Sequence, residues 1–163
     1  MFTICSWSDC PTESGVTFDS AGNLYSSTST GGSGLGGTAF QLSSGSWAFQ
    51  LLYSFTGETG PILSDLIFDQ AGNIYGTTAL GGVYGGGTVF KLTPSMGGYT
   101  CTSLHDFLPV FCCSDGNTPQ GTLLMDANGN LYGTTVYGGS GLGVCETLGL
   151  GSGLCGVIFK ITP

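Results

Sequence analysis

Phe68–Thr78 reads FDQAGNIYGTT, and the same pattern stands at Phe18–Thr28 as FDSAGNLYSST and at Met125–Thr135 as MDANGNLYGTT. The copies lie 50 and 57 residues apart. Each is followed by a Gly-rich stretch and a short apolar strand: TAFQLS at Thr38–Ser43, TVFKLT at Thr88–Thr93 and VIFKIT at Val157–Thr162. The first two copies add another strand, FQLLYSF at Phe49–Phe55 and YTCTSLHDF at Tyr99–Phe107. Four short strands, separated by turn signals and repeated about every 50 residues, predict one blade of a β-propeller. In blade order, strand A covers Val16–Asp19, Leu66–Asp69 and Leu123–Asp126, strand B begins at Asn23, Asn73 and Asn130, and C and D follow. The A–B connection is D-x-x-G-N in every copy. Asp accepts backbone hydrogen bonds inside a turn, Gly supplies positive φ and Asn tolerates a left-handed backbone. These residues therefore read as hairpin formers, since calcium loops bring more carboxylates together at closer spacing.

Composition agrees with an all-β chain and excludes other classes. Gly accounts for 31 of 163 residues without a three-residue period, so collagen is excluded. Hydrophobic residues make up 40% and mean hydropathy is +0.29, which argues against disorder. No apolar run approaches the roughly 20 residues of a membrane-spanning helix. With 2 Lys or Arg against 10 Asp or Glu and a net charge of -8, cations to replace phosphate counterions are nearly absent, so nucleic acid is not expected as a partner. The N-terminus has neither a basic stretch nor a signal-like apolar run. Seven Cys nonetheless suggest an oxidising, extracellular setting. The two signals agree if the chain is a piece of a longer exported protein or a truncated reading frame.

The expected organisation is a single propeller domain over 1–163. Residues 2–7 form a detached strand D, 15–56 blade one, 62–108 blade two, and 121–163 strands A to C of blade three. Three blades fall short of the roughly four to eight of a closed ring. An open arc would also leave two apolar blade faces in water. The expectation is therefore a homodimer in which two chains form one six-bladed ring, each N-terminal strand completing the partner's third blade. Charge repulsion opposes this only modestly at a Debye length of about 8 Å.

GNIYGTT at Gly72–Thr78 with GGVYGGGTVFKLTP at Gly81–Pro94, and Gly129–Thr135 with Gly156–Pro163, resemble the tandem repeats of Gloeobacter and Verrucomicrobia proteins, a propeller-type family. The first copy departs with Ser26 and Ser27 for Gly and Thr and with Gln41 for Lys, and the third carries an insertion between strands B and C. In size and repeat type the chain is also similar to a small acyl-homoserine lactonase class known from environmental DNA.

In a propeller the D–A and B–C loops share one face. Those loops here carry Asp9, Glu13, Glu58, Asp65, Asp115 and Glu146. Asp65 opens an innermost strand where the first copy has Gly15, so it reads either as a carboxylate facing the channel mouth, serving acid–base chemistry or a cation, or as a solvated turn residue. Asp65, Glu13 and Asp115 are the candidate metal ligands, with calcium the expected ion. His105, the only His, excludes a His-rich zinc site and is the other candidate catalytic residue beside Asp65, although an outer strand is remote from the channel. Tyr84 and Tyr137 are expected at loop tips, where they would stack on substrate. The Gly-rich stretches lack the Lys-Ser or Lys-Thr of a phosphate loop, and no G-x-S-x-G surrounds any Ser. Cys145 and Cys155 bracket the insertion, Cys5 and Cys10 bracket the first D–A loop, and Cys101, Cys112 and Cys113 remain.

Six-bladed propellers include calcium-dependent lactonases and esterases. By that likeness the expected function is metal-assisted hydrolysis of a small-molecule lactone or ester, N-acyl-homoserine lactones among them, at the channel mouth. The alternative is a non-catalytic extracellular module that binds a ligand or partner through the same loops. A fragment of a longer propeller with no role of its own is a third reading.

Overall fold

Each D-x-x-G-N turn is built around one carboxylate with four donors. Asp69 Oδ1 accepts the N–H groups of Ala71 and Asn73, both at 2.9 Å. Its Oδ2 accepts Asn73 Nδ2 at 2.7 Å and the Tyr75 hydroxyl at 2.9 Å. Asp19 and Asp126 collect the same four donors from their own copies. Gly22, Gly72 and Gly129 stand at φ of 80°, 79° and 82°, the conformation that lets the chain reverse around the Asp. The hairpin reading of these Asp and Asn residues is thus what the structure shows.

The bond from Asn130 holds the Asp126 carboxyl down at about 2. At Asp69 and Asp19 burial pushes upward, and the combined hydrogen bonds outweigh it, leaving both below the ordinary value. Burial and then the bond to Asp push the Tyr25 and Tyr75 hydroxyls up to about 12. Opposite Tyr75 and Tyr132 on the next strand lie Lys91 and Lys160, the only Lys or Arg in the chain. Lys91 Nζ sits 5.6 Å from the Tyr75 ring centre and Lys160 Nζ 5.7 Å from that of Tyr132. The first copy has Gln41 opposite Tyr25.

The computed structural model describes residues 14–56, 62, 64–109, 115–139 and 155–163. Among them the strands form three antiparallel sheets, one for each repeat. Sheet one runs β1 (Thr17–Phe18), β2 (Leu24–Thr28), β3 (Leu35–Leu42) and β4 (Phe49–Thr56). Sheet two runs β5 (Ile67–Phe68), β6 (Ile74–Thr78), β7 (Thr88–Ser95) and β8 (Gly98–Asp106). Sheet three has β9 (Asn117–Met125), β10 (Leu131–Tyr137) and β11 (Ile158–Ile161). Each is a meander of neighbouring strands, as expected for a blade. A closed ring is not seen in this single chain, and residues 2–7, the expected fourth strand of sheet three, lie outside the described residues.

Side-chain alternation along each strand creates two apolar faces per sheet, and successive sheets stack through them. Tyr25, Ala39, Leu52 and Phe55 of sheet one pack on Leu66, Ile74, Phe90 and Leu92 of sheet two. The other face of sheet two offers Tyr75 and Val89, with Phe107 just beyond β8, to Leu123 and Leu131 of sheet three.

One boundary needs correction. Residues 117–120, read above as part of a D–A loop with the third blade starting at 121, belong to β9, which pairs Asn117 with Tyr137 and Pro119 with Thr135. Pro119 has no N–H to donate, and it is tolerated because β9 is an edge strand of its sheet.

The turn chemistry sets the pH limits of stability. A depressed carboxylate stabilises the fold above its unfolded pKa of about 3.9, and that contribution is lost as pH falls toward about 2. The raised tyrosines stabilise it below about pH 10, and lose that contribution as pH rises through about 12. Urea midpoints should therefore be level between these windows and fall in both. Asp69→Ala, which strands several donors, should lower stability by about 2–3 kcal/mol at neutral pH.

Candidate functional site

The meander places the β4–β5, β8–β9, β2–β3, β6–β7 and β10–β11 connections at one end of the sheets and the Asp turns at the other. The described candidate residues all lie at the loop-bearing end: Asp65 just before β5, Tyr84 between β6 and β7, His105 near the end of β8, Asp115 before β9 and Tyr137 at the end of β10. Glu13 lies outside the described residues.

A threonine at or near the end of each second strand anchors the loops at this end. Thr78 Oγ1 donates to the Leu80 carbonyl at 2.9 Å and accepts the Thr88 N–H at 3.2 Å. Thr28 and Thr135 repeat the arrangement with Thr30 and Thr38, and with Tyr137 and Val157. The final Thr of the repeat signature thus ties the exit of one strand to the entry of the next. Tyr84 is exposed on such a loop. Tyr137 is not a loop tip: it ends β10, paired with Asn117.

The candidates separate into two places. Gly15, Asp65 and Thr122 occupy the same position in the three repeats, and they converge. Asp65 Oδ1 accepts the Gly15 N–H, and Oδ2 accepts the Thr122 hydroxyl at 2.8 Å. A side chain at position 15 would collide with the carboxylate, which accounts for glycine there. Asp65 is therefore a tie between the three sheets at the equivalent position of each repeat, with both oxygens engaged.

His105 is at the opposite edge of sheet two, three strand spacings or about 14 Å from β5, so it does not share a reacting atom with Asp65. Its partner is Asp115, not the adjacent Asp106: Nε2 lies 3.2 Å from Asp115 Oδ2. The same Oδ2 accepts the Leu108 N–H at 3.3 Å. Phe107 meets the imidazole edge to face at 4.6 Å. Asp106 instead accepts the Val83 N–H at 3.1 Å. Buried Asn117, which the sequence reading passed over, donates to the Leu108 carbonyl at 2.8 Å, while the Thr118 N–H reaches the Gly86 carbonyl at 2.8 Å. These two bonds clip the segment bearing Asp115 to β8 and to the β6–β7 loop.

A groove of about 380 Å³ opens between sheets one and two, lined by Tyr53, Phe55, Val83, Phe90, Cys101 and Asp106 among others. Cys101 is a free thiol beside the Tyr53 hydroxyl, and burial pushes it up to about 11, so it stays protonated and unreactive. Cys155 is not a free thiol, while Cys5, Cys10, Cys112, Cys113 and Cys145 lie outside the described residues. Among the described residues no three His, Cys, Asp or Glu side chains gather as metal ligands. Of the expected calcium set, Asp65 and Asp115 are engaged elsewhere, so the described residues alone do not fit that ion.

The model of the Gloeobacter/Verrucomicrobia repeat matches residues 6–163. No curated protein matches the chain.

Asp65→Ala should cost about 1–2 kcal/mol of stability in urea, since it strands the Gly15 N–H and the Thr122 hydroxyl. Thr122→Val should recover part of that loss when combined with it, a coupling that a double-mutant cycle reads directly.

Proposed function

We propose that this chain, which belongs to the Gloeobacter/Verrucomicrobia repeat family over residues 6–163, hydrolyses lactone or ester substrates, N-acyl-homoserine lactones among them, with His105 as general base. The observation that supports the reading is the half-exposed His105–Asp115 pair at the loop-bearing end. With Asp115 accepting from Nε2–H, the neutral imidazole keeps its Nδ1 lone pair for a water proton. The water oxygen adds to the carbonyl as Nδ1 takes its proton. The tetrahedral intermediate then expels the ring or ester oxygen, which recovers that proton from His105. Asp115 stays ionised throughout and steadies the imidazolium.

A calcium ion, in this reading, would polarise the carbonyl. It would have to draw on groups beyond those gathered in the described residues, Glu13 among them, and no step above depends on it. Asp65 serves the site by holding the blades rather than by touching substrate. A Cys145–Cys155 bridge closing the β10–β11 connection belongs to the same proposal, and such a closure is worth about 3 kcal/mol in the loop-entropy picture.

The second reading, a non-catalytic binding module, is favoured by the apolar groove, which opens on the side of sheet two away from His105.

Turnover of acyl-homoserine lactones and aryl esters by the purified protein separates the two. His105→Gln should lower kcat/KM by about 100-fold or more with an unchanged circular dichroism spectrum, and Asp115→Asn should lower it less. Equal turnover by His105→Gln sinks the general-base assignment. Saturable binding of these compounds without turnover favours the module. Loss of turnover in a chelator, restored by calcium, would add the ion. Thiol titration of the denatured protein should find fewer than the seven thiols of the sequence; a full count removes the bridge.

A further inference from the structure

Equivalent residues of the three repeats are buried or exposed according to whether another sheet lies against them. Val16, Leu66 and Leu123 hold one position at the start of the innermost strand, and they are 57%, 1% and 1% exposed. Ala39, Val89 and Ile158 hold one position on the third strand, and they are 0%, 0% and 84% exposed. The sheets thus have a front face, carrying the Leu66 and Leu123 class, and a back face, carrying the Ala39 and Val89 class. The back of sheet one covers the front of sheet two, and the back of sheet two covers the front of sheet three. The front of sheet one exposes Val16, Phe18, Phe49 and Leu51, and the back of sheet three exposes Leu124 and Ile158.

We propose that the front of sheet one receives the back of sheet three from a second copy of this chain, in the packing already used twice within the chain. The occupant follows from complementarity of type. Each internal interface joins a back face to a front face, so the two uncovered faces match one another and neither matches itself. The internal contacts also assign partners across the new interface. Phe68 packs edge to face on Tyr25 at 4.6 Å, and Met125 joins the cluster that contains Tyr75. Phe18, the equivalent of Phe68 and Met125, therefore covers Tyr132 of the second copy, and Ile158 enters the pocket beside Val16. Because the contact joins unlike faces, a closed pair makes it twice, and failure to close would give longer assemblies.

Sedimentation or light scattering at micromolar concentration should find twice the 16.6 kDa chain mass. Phe18→Asp and Ile158→Asp each place a charge on a residue that is exposed in the single chain, so each should keep its circular dichroism spectrum and weaken association by about thirty-fold or more. Mixing the two variants should restore some pairing, because one of the two contacts then joins unaltered faces. If either substitution unfolds the chain, Phe49→Lys and Leu124→Lys replace them with the same expectation. A monomeric wild type overturns the proposal and leaves these faces to other repeats or another protein. Disruption by Phe18→Asp alone, with Ile158→Asp still paired, overturns the head-to-tail arrangement in favour of like faces meeting.

Discussion

The rest of the structure depends on a carboxylate at the hairpin that joins the first two strands of each sheet. Asp19, Asp69 and Asp126 each hold two backbone N–H groups, an Asn amide and a Tyr hydroxyl, so one side chain sets the turn, its register and the position of the aromatic ring two residues into the next strand. That ring then serves packing. Tyr25 and Tyr75 are buried on the back faces of their sheets, where they meet the next sheet. A local hydrogen-bond network is thereby converted into stacking between repeats. It also uses the scarce charge of the chain: three of ten acidic residues sit in the turns, and both lysines lie over turn tyrosines.

With one end of every sheet committed to these turns, the other described polar candidates gather at the opposite end. There the repeats stop being equivalent. Gly15, Asp65 and Thr122 occupy one position with three different side chains, and their difference is what lets them bond to each other: a backbone donor, a carboxylate and a hydroxyl. Three identical aspartates converging in that place would repel, and three glycines would leave nothing to join. Divergence at a repeated position is a physical requirement of the centre.

Much of this was legible in the letters. The 50-residue period, the turn signature and the short apolar third strands foretold one sheet per repeat and the end at which the loops lie. What escaped has a common cause. The extension of β9 through Asn117–Gln120 carries Pro119 and lacks an apolar alternation, and it is held by pairing with Thr134–Tyr137 on the neighbouring strand. Asp115 meets His105 across ten residues because Asn117 bonds the Leu108 carbonyl just past β8 and Thr118 the Gly86 carbonyl of the β6–β7 loop. Asp106 adjoins His105 in sequence, but alternation along a strand sends neighbouring side chains to opposite faces. Asp65 stands just before β5, the first strand of sheet two; its bonds to Gly15 and Thr122 depend on how three sheets stack, which no single repeat encodes.

The dyad is in turn coupled to the stacking it rests on. His105 meets Phe107 at 4.6 Å, and Phe107 meets Phe159 of sheet three at 5.1 Å. Asp115 belongs to the connection entering sheet three, while His105 belongs to sheet two. A small shift between the two sheets therefore changes the 3.2 Å contact directly, whereas the Asp turns, each closed within one sheet, would not register it. Hairpin stability and the position of the imidazole depend on different interactions: the turns hold each sheet, and the aromatic contacts between sheets hold His105.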